Sequence, residues 1–105
     1  MTVRILRRLK AVEDAESTAD HIAATSLKAA VRFLENTEAT LMELAESPEA
    51  GSRFESAHPQ LANLRFRRVR EFPNHFVFYI EHQDAIEVVR ILHGARDLDE
   101  ELRNS

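Results

Sequence analysis

Apolar residues recur along this chain in two rhythms, and the switch between them predicts its fold. Thr2 to Leu6 alternates, with Val3 and Ile5 on one side and Arg4 on the other, which is the period of a strand. From Glu13 to Ala24 the period lengthens. Ala15, Ala19, Ile22 and Ala23 share one helical face, and acids occupy the first turn. Thr25-Ser26 interrupts the pattern, and Ser26 is placed to cap a second helix. That helix is predicted over 27–46, where Ala30, Leu34, Thr37, Leu41 and Leu44 recur in steps of three and four, with Phe33 and Ala45 alongside. Ser47-Pro48 ends it, because proline lacks an N–H and keeps the preceding residue out of the helical region. So short a connection predicts that the two helices lie antiparallel as a hairpin.

Residues 49–63 carry little periodicity. The strand rhythm then returns. Residues 64–70 alternate Leu64, Phe66 and Arg68 against Arg65, Arg67 and Val69. Residues 75–81 are dense in aromatic and β-branched side chains, and 85–92 are mostly aliphatic. Phe72-Pro73-Asn74 and His82-Gln83-Asp84 read as turns, so these strands form a meander. Asp97 is placed to cap a short final helix. The order β-α-α-β-β-β predicts one domain over residues 1–105. It is α+β, a helical hairpin packed on a mainly antiparallel four-stranded sheet. Val3, Ile5, Phe76, Phe78, Ile80, Val88 and Leu92 are expected to meet the helices, and Val77, Tyr79, Val89 and Ile91 to lie on the opposite face.

Composition narrows the class. Apolar residues at 44% are too many for a disordered chain. There is no cysteine, which excludes disulfides and thiolate metal sites and suits a reducing compartment. No apolar run approaches a membrane span, and the basic N-terminus lacks the apolar core of a secretory signal, so a cytoplasmic protein is expected. The formal net charge is −4, but its sign is uneven. Arg4, Arg7, Arg8 and Lys10 open the chain without an acid, ten acids face three cations over 11–62, and Arg65, Arg67, Arg68 and Arg70 fall together. An acidic chain makes direct nucleic-acid binding unfavourable, whereas a local basic patch suits one anionic surface. His21, His58, His75, His82 and His93 show no ligand spacing, and Gly51 and Gly94 are too few for a phosphate loop, so no metal and no cofactor is expected.

Several of these features together resemble a known family. The element order, the Ser47-Pro48-Glu49-Ala50-Gly51 break, the Phe72-Pro73-Asn74-His75 segment, the Phe78-Tyr79 pair and the Arg90-Ile91-Leu92-His93-Gly94-Ala95-Arg96-Asp97 ending are similar to the ParE branch of the RelE/ParE toxins. These are toxins of type II toxin–antitoxin modules, also known as plasmid stabilisation proteins. The chain departs from the family pattern at Arg8-Leu9-Lys10-Ala11, where a Ser/Thr-Pro pair is common, at Glu71, where many relatives have glycine, and at Ile80, where many have arginine.

The resemblance implies a toxin neutralised by a cognate antitoxin in a hetero-oligomer. ParE-like members are associated with poisoning DNA gyrase, and RelE-like members with cutting messenger RNA on the ribosome. Cutting RNA requires proton transfer as well as cations. After Arg96 the chain offers DLDEELRNS, with four acids and neither the Tyr nor the His that a RelE-like cutter would use. His93 follows a buried-looking strand and is read as structural rather than as an acid–base group. The expectation is therefore a toxin without catalytic residues that binds a protein target. A ribosome-dependent ribonuclease and a non-toxic relative that only binds antitoxin stand as alternatives. Arg65, Arg67, Arg68, Arg70, His93 and Arg96 are the candidate target-binding residues. Phe33, Leu34, Leu41, Met42 and Leu44 exceed what one helix stripe needs; most are expected in the core, and Phe33, Leu41, Met42 and Leu44 are the candidates for antitoxin binding.

Overall fold

Ser26 starts the longest helix as its sequence predicts. In a computed structural model describing residues 1–95 and 97–103, its hydroxyl accepts the Ala29 N–H at 3.1 Å. The helix is α2, Leu27–Glu46. Before it run strand β1, Arg4–Arg7, and helix α1, Leu9–Ala23. After it come a 3₁₀ turn at Pro48–Ala50, β2 (Ser52–Arg53), a second 3₁₀ turn at Pro59–Leu61, β3 (Leu64–Val69), β4 (Phe72–Glu81), β5 (Ala85–His93) and α3 (Leu98–Arg103). Helix α1 begins four residues earlier than its acidic first turn suggested. Arg8 gives it no side-chain cap, but Ala11 is already buried, so packing sets the start. No helix is long and apolar enough to cross a membrane among the described residues.

The sheet has five strands rather than four, in the order β1-β5-β4-β3-β2. The extra strand β2 lies in the aperiodic segment, where Ser52 and Arg53 pair with Phe66 and Arg65. Strands β2 to β5 run antiparallel, and β1 lies parallel to β5. The β3–β4 turn sits at Arg70-Glu71, not at Phe72-Pro73-Asn74. Val69 already pairs with Phe72, and Glu71 takes the left-handed conformation with φ 65°. Pro73 then falls between the pairings Val69–Phe72 and Arg68–Phe76, where its missing N–H costs no ladder bond.

The sheet is covered on both sides, and this reverses most of the expected facing. Val77, Tyr79, Ile86, Val88 and Ile91 pack against Ala11, Ala19, Ala30, Phe33, Leu41 and Leu44 of the hairpin. Phe76, Phe78, Ile80 and Leu92 do not meet the helices. With Val89 they pack on the other side against Phe54, Leu61, Phe66, Leu98 and Leu102. Aromatic bulk cannot choose a face when both are buried. Within β5 a bulge also breaks the alternation, since Phe78 pairs with Arg90 while Tyr79 pairs with Val88, leaving Val89 extra.

Arg90 ties the layers together at the sheet edge. Its Nε and Nη2 donate to the two Asp14 carboxylate oxygens at 2.7 and 2.9 Å, and its Nη1 donates to the Glu101 carbonyl at 3.2 Å. Asp14 also accepts the Ile91 N–H at 3.0 Å, occupying an edge donor beyond the end of β1.

Candidate functional site

Strand alternation divides the arginines of the 65–70 run between two faces. Arg65 donates to the Gly51 carbonyl at 2.8 Å and to the Glu49 carbonyl at 3.3 Å, with Glu81 at 3.7 Å. Arg67 reaches the Ala50 carbonyl at 3.4 Å and Glu43 at 3.8 Å. Arg70 donates to Glu43 at 3.2 Å. These three hold their own chain. Arg68 points the other way, with its guanidinium 5.8 Å from the Phe76 ring centre, and it has no carboxylate partner among the described residues. The run is therefore not one patch. It is a clamp on residues 49–51 and Glu43, plus Arg68 on the opposite face.

Tyr79 explains the clamp. Its ring is fully buried, and its hydroxyl donates to the Pro48 carbonyl at 2.7 Å and accepts the Gly51 N–H at 2.9 Å. Burial pushes its pKa up. The chain's sole tyrosine is thus occupied in structure and remains protonated near neutrality.

The ends of β4 and β5 bring histidines together that the sequence left apart. His75 pairs with His93 across the ladder, their ring centres 4.8 Å apart and nearly perpendicular. His93 is exposed, and its Nδ1 accepts the Ala95 N–H at 3.0 Å, which leaves the proton of the neutral ring on Nε2. His75 packs on Phe33 at 5.1 Å, and burial, then the nearby His93, lower its pKa. Together with His21, Ser17 and Thr18 of α1 they line an open hollow of about 300 Å³. Among the described residues, no three His, Asp or Glu side chains are placed to hold a metal ion. Arg96 lies outside the described residues. Asp97 caps α3 through its carboxylate, which accepts the Glu100 N–H at 3.2 Å.

The helical hairpin presents a different apolar surface from the one expected. Phe33, Leu41 and Leu44 are fully buried against the sheet, where Phe33 meets Phe72 edge-on at 5.2 Å. Phe33 and Leu44 belong to the core, whereas Leu41, although buried, lines the floor of the groove between the two helices. Met42 alone of that set is exposed, at 50%. The surface strip is instead Leu27, Val31 and Leu34, at 71, 49 and 41% exposure. Their i, i+4, i+7 spacing lies in the sequence, where Leu34 falls in the same periodic stripe as the buried Ala30, Thr37, Leu41 and Leu44. Beside Leu34 a groove of about 170 Å³ opens between α1 and α2, with Val12 and Ala15 on its sides and Val88 and Ile91 at its base. Arg7 and Glu38 close one rim, paired at 2.6 and 2.8 Å, and this contact holds the Glu38 carboxyl below the usual range. Glu16, also on the rim, has no cationic partner among the described residues.

With that geometry in hand, comparisons with known proteins converge. The family model described as "ParE toxin of type II toxin-antitoxin system, parDE" matches residues 5–98. Curated proteins give no match. Among solved structures the chain is similar to one titled "Chromosomal ParDE TA system from P. aeruginosa", with a TM-score of 0.71 and 15% identity, covering 88% of this chain and 96% of that one. It is also similar to "YoeB/ParE toxin from Agrobacterium tumefaciens", with a TM-score of 0.57 and 18% identity over 86% of this chain and 96% of that one. At such identities these likenesses bear on the fold.

Proposed function

The chain belongs to the ParE toxin family of type II toxin–antitoxin systems, and from that premise we propose that it is a growth-arresting toxin held inactive by an antitoxin seated along its helical hairpin. The observation that carries this reading is the apolar groove between α1 and α2, continued by exposed Val31 and Leu34. A soluble helix rarely leaves such a strip bare without a partner. An amphipathic antitoxin segment with an apolar face and a cation opposite Glu16 would fill it.

The arrest itself is proposed to come from binding a protein target in the cytoplasm, such as DNA gyrase, rather than from cutting RNA. Tyr79 is buried and doubly hydrogen-bonded, and Arg65, Arg67 and Arg70 are engaged within the chain, so neither an acid–base tyrosine nor a cluster of unengaged arginines supports cleavage. One observation favours the ribonuclease reading: the His75–His93 pair brings two imidazoles together at the end of the sheet. The test is to induce the chain alone and with its genomic neighbour. Growth, supercoiling by purified gyrase and transcript cleavage on ribosomes are then scored. The expected result is arrest relieved by the neighbour, with loss of supercoiling and intact transcripts. Cleavage abolished by His93→Ala would establish the enzyme instead.

A further inference from the structure

The back of the sheet, away from the hairpin, carries a built hollow that the antitoxin groove does not use. Phe78, fully buried, is one of its lining rings, along with Phe54, Phe66, Phe76 and Leu98, and the space is about 270 Å³. The rings are held by edge-to-face contacts, Phe54 on Phe78 at 5.4 Å and Phe66 on Phe76 at 5.8 Å, so the shape is fixed before anything binds. Arg68 also lines the hollow, exposed, stacked on Phe76 and without a carboxylate partner among the described residues. Arg68 and Phe66 line a second depression as well, beside Ala50 and Ser52. There β2 begins at Ser52, opposite Phe66, and no strand among the described residues lies beside the β3 edge at Arg68. The two depressions form one elongated surface, apolar at one end and open along a strand edge at the other.

We infer that this surface binds an extended protein segment that inserts a large apolar side chain among the phenylalanines and sets a carboxylate on Arg68. A guanidinium held over an aromatic ring is fixed in place, and beside an apolar wall its charge-assisted bond to an arriving carboxylate is stronger than in open water. An extended chain suits the open strand edge. Nucleic acid fits less well. Among the described residues the hollow is lined by one cation, Arg68, where a phosphate backbone would need several. Asp99, Glu100 and Glu101 of α3, which supplies Leu98 to the wall, repel any negative charge placed away from Arg68, so the segment's carboxylate sits at the Arg68 end. The inference deepens the reading above by giving the target's docking segment its chemistry: one bulky apolar residue with a carboxylate beside it, placed at Arg68 and away from the acids of α3. It lies on the sheet face opposite the antitoxin groove.

The test uses the full chain and two blocked five-residue peptides, one with Phe flanked by Asp and one with Phe flanked by Lys, titrated by NMR. The acidic peptide should shift Phe54, Phe66, Phe76 and Leu98 resonances. Binding should fall at least tenfold for the basic peptide and for Arg68→Gln, a change that leaves the melting curve in place. Shifts confined to the hairpin groove, equal binding of both peptides, no dependence on Arg68, or tighter binding of oligouridylate would each overturn the inference. In cells, Arg68→Gln should relieve arrest while still forming the antitoxin complex. Arrest unchanged in that variant would remove the target from this surface. If the unaltered chain causes no arrest, the toxin reading fails, and the peptide titration still decides whether the surface binds acidic segments.

Discussion

The hydroxyl of Tyr79 and the N–H of Gly51 meet at 2.9 Å inside the protein, and this contact pins the chain after α2 to the middle of the sheet. A side chain at position 51 would have nowhere to go. A Cβ there would lie 2.3 Å from the Tyr79 hydroxyl oxygen, although the backbone itself is in an ordinary region. Tyr79→Phe leaves the buried Gly51 N–H without a partner and is expected to cost about 1–3 kcal/mol. Gly51→Ala should cost more, because a fixed ring must shift. Urea unfolding monitored by circular dichroism measures both. A Gly51→Ala loss smaller than that of Tyr79→Phe would contradict the close approach.

Acid should destabilise the fold in two separate windows. His75 has a folded pKa below its ordinary value of about 6.5, so on acidification the unfolded chain takes up its proton first. The stability tied to neutral His75 is therefore present above about pH 6.5 and is lost as pH falls toward the depressed value. Glu38 and Glu87 are held low by Arg7 and by His82 with Arg8, so their contributions are lost only at lower pH, from about 4.5 downward. Melting temperatures of the unaltered chain and of His75→Gln should diverge near neutrality and converge between pH 7 and 5. Parallel curves across that range would refute the assignment.

Glu71 occupies backbone space that glycine enters freely, at φ 65°. Its carboxylate pairs with Arg32, but both side chains are about half exposed, so the pair adds little. Glu71→Gly is expected to range from neutral to about 1 kcal/mol stabilising, the relief of strain being offset partly by a freer unfolded chain. Glu71→Val should lose about 1–2 kcal/mol, since a β-branched residue resists this region. The ordering Gly, Glu, Val in melting temperature is the readout.

Val31 and Leu34 give the cleanest separation of folding from binding. Both are well exposed on α2, so Val31→Asp should change stability by no more than about 0.5 kcal/mol. In the antitoxin complex the same change would bury a charge without a partner and should weaken affinity about ten- to a hundredfold. Calorimetric titration against the purified antitoxin tests it. Unchanged affinity would move the antitoxin off the hairpin.

Local rules made α2 legible to its last residue, because a serine cap and a proline stop bracket it. They also placed Asp97 at the head of α3. The facing of the sheet was not legible. Both faces are apolar, and no residue type announces the bulge at Val89 that offsets β5 against β4. The alternation of Arg65 and Arg67 against Arg68 could be read directly. What could not be read was that residues 49–51 fold back to meet the first two. A contact across 14 to 17 positions is set by tertiary packing and has no local signal. The same holds for His75 and His93, whose neighbourhood exists only through the pairing of their strands.

The pairing of the first strand with the last has a consequence for how the protein comes into being. Arg4–Arg7 can find its place only beside Ala85–Val88, and Asp14 waits for Arg90. During synthesis the hairpin of α1 and α2 emerges early, yet it has no sheet to cover until β5 has left the ribosome. Loop closure over so long a separation makes this final step slow. For that interval the buried faces of Phe33, Leu41 and Leu44 are open to the solvent. An antitoxin present at that moment would meet a half-made toxin, and the order in which the two chains are produced would decide whether a free toxin ever completes its fold.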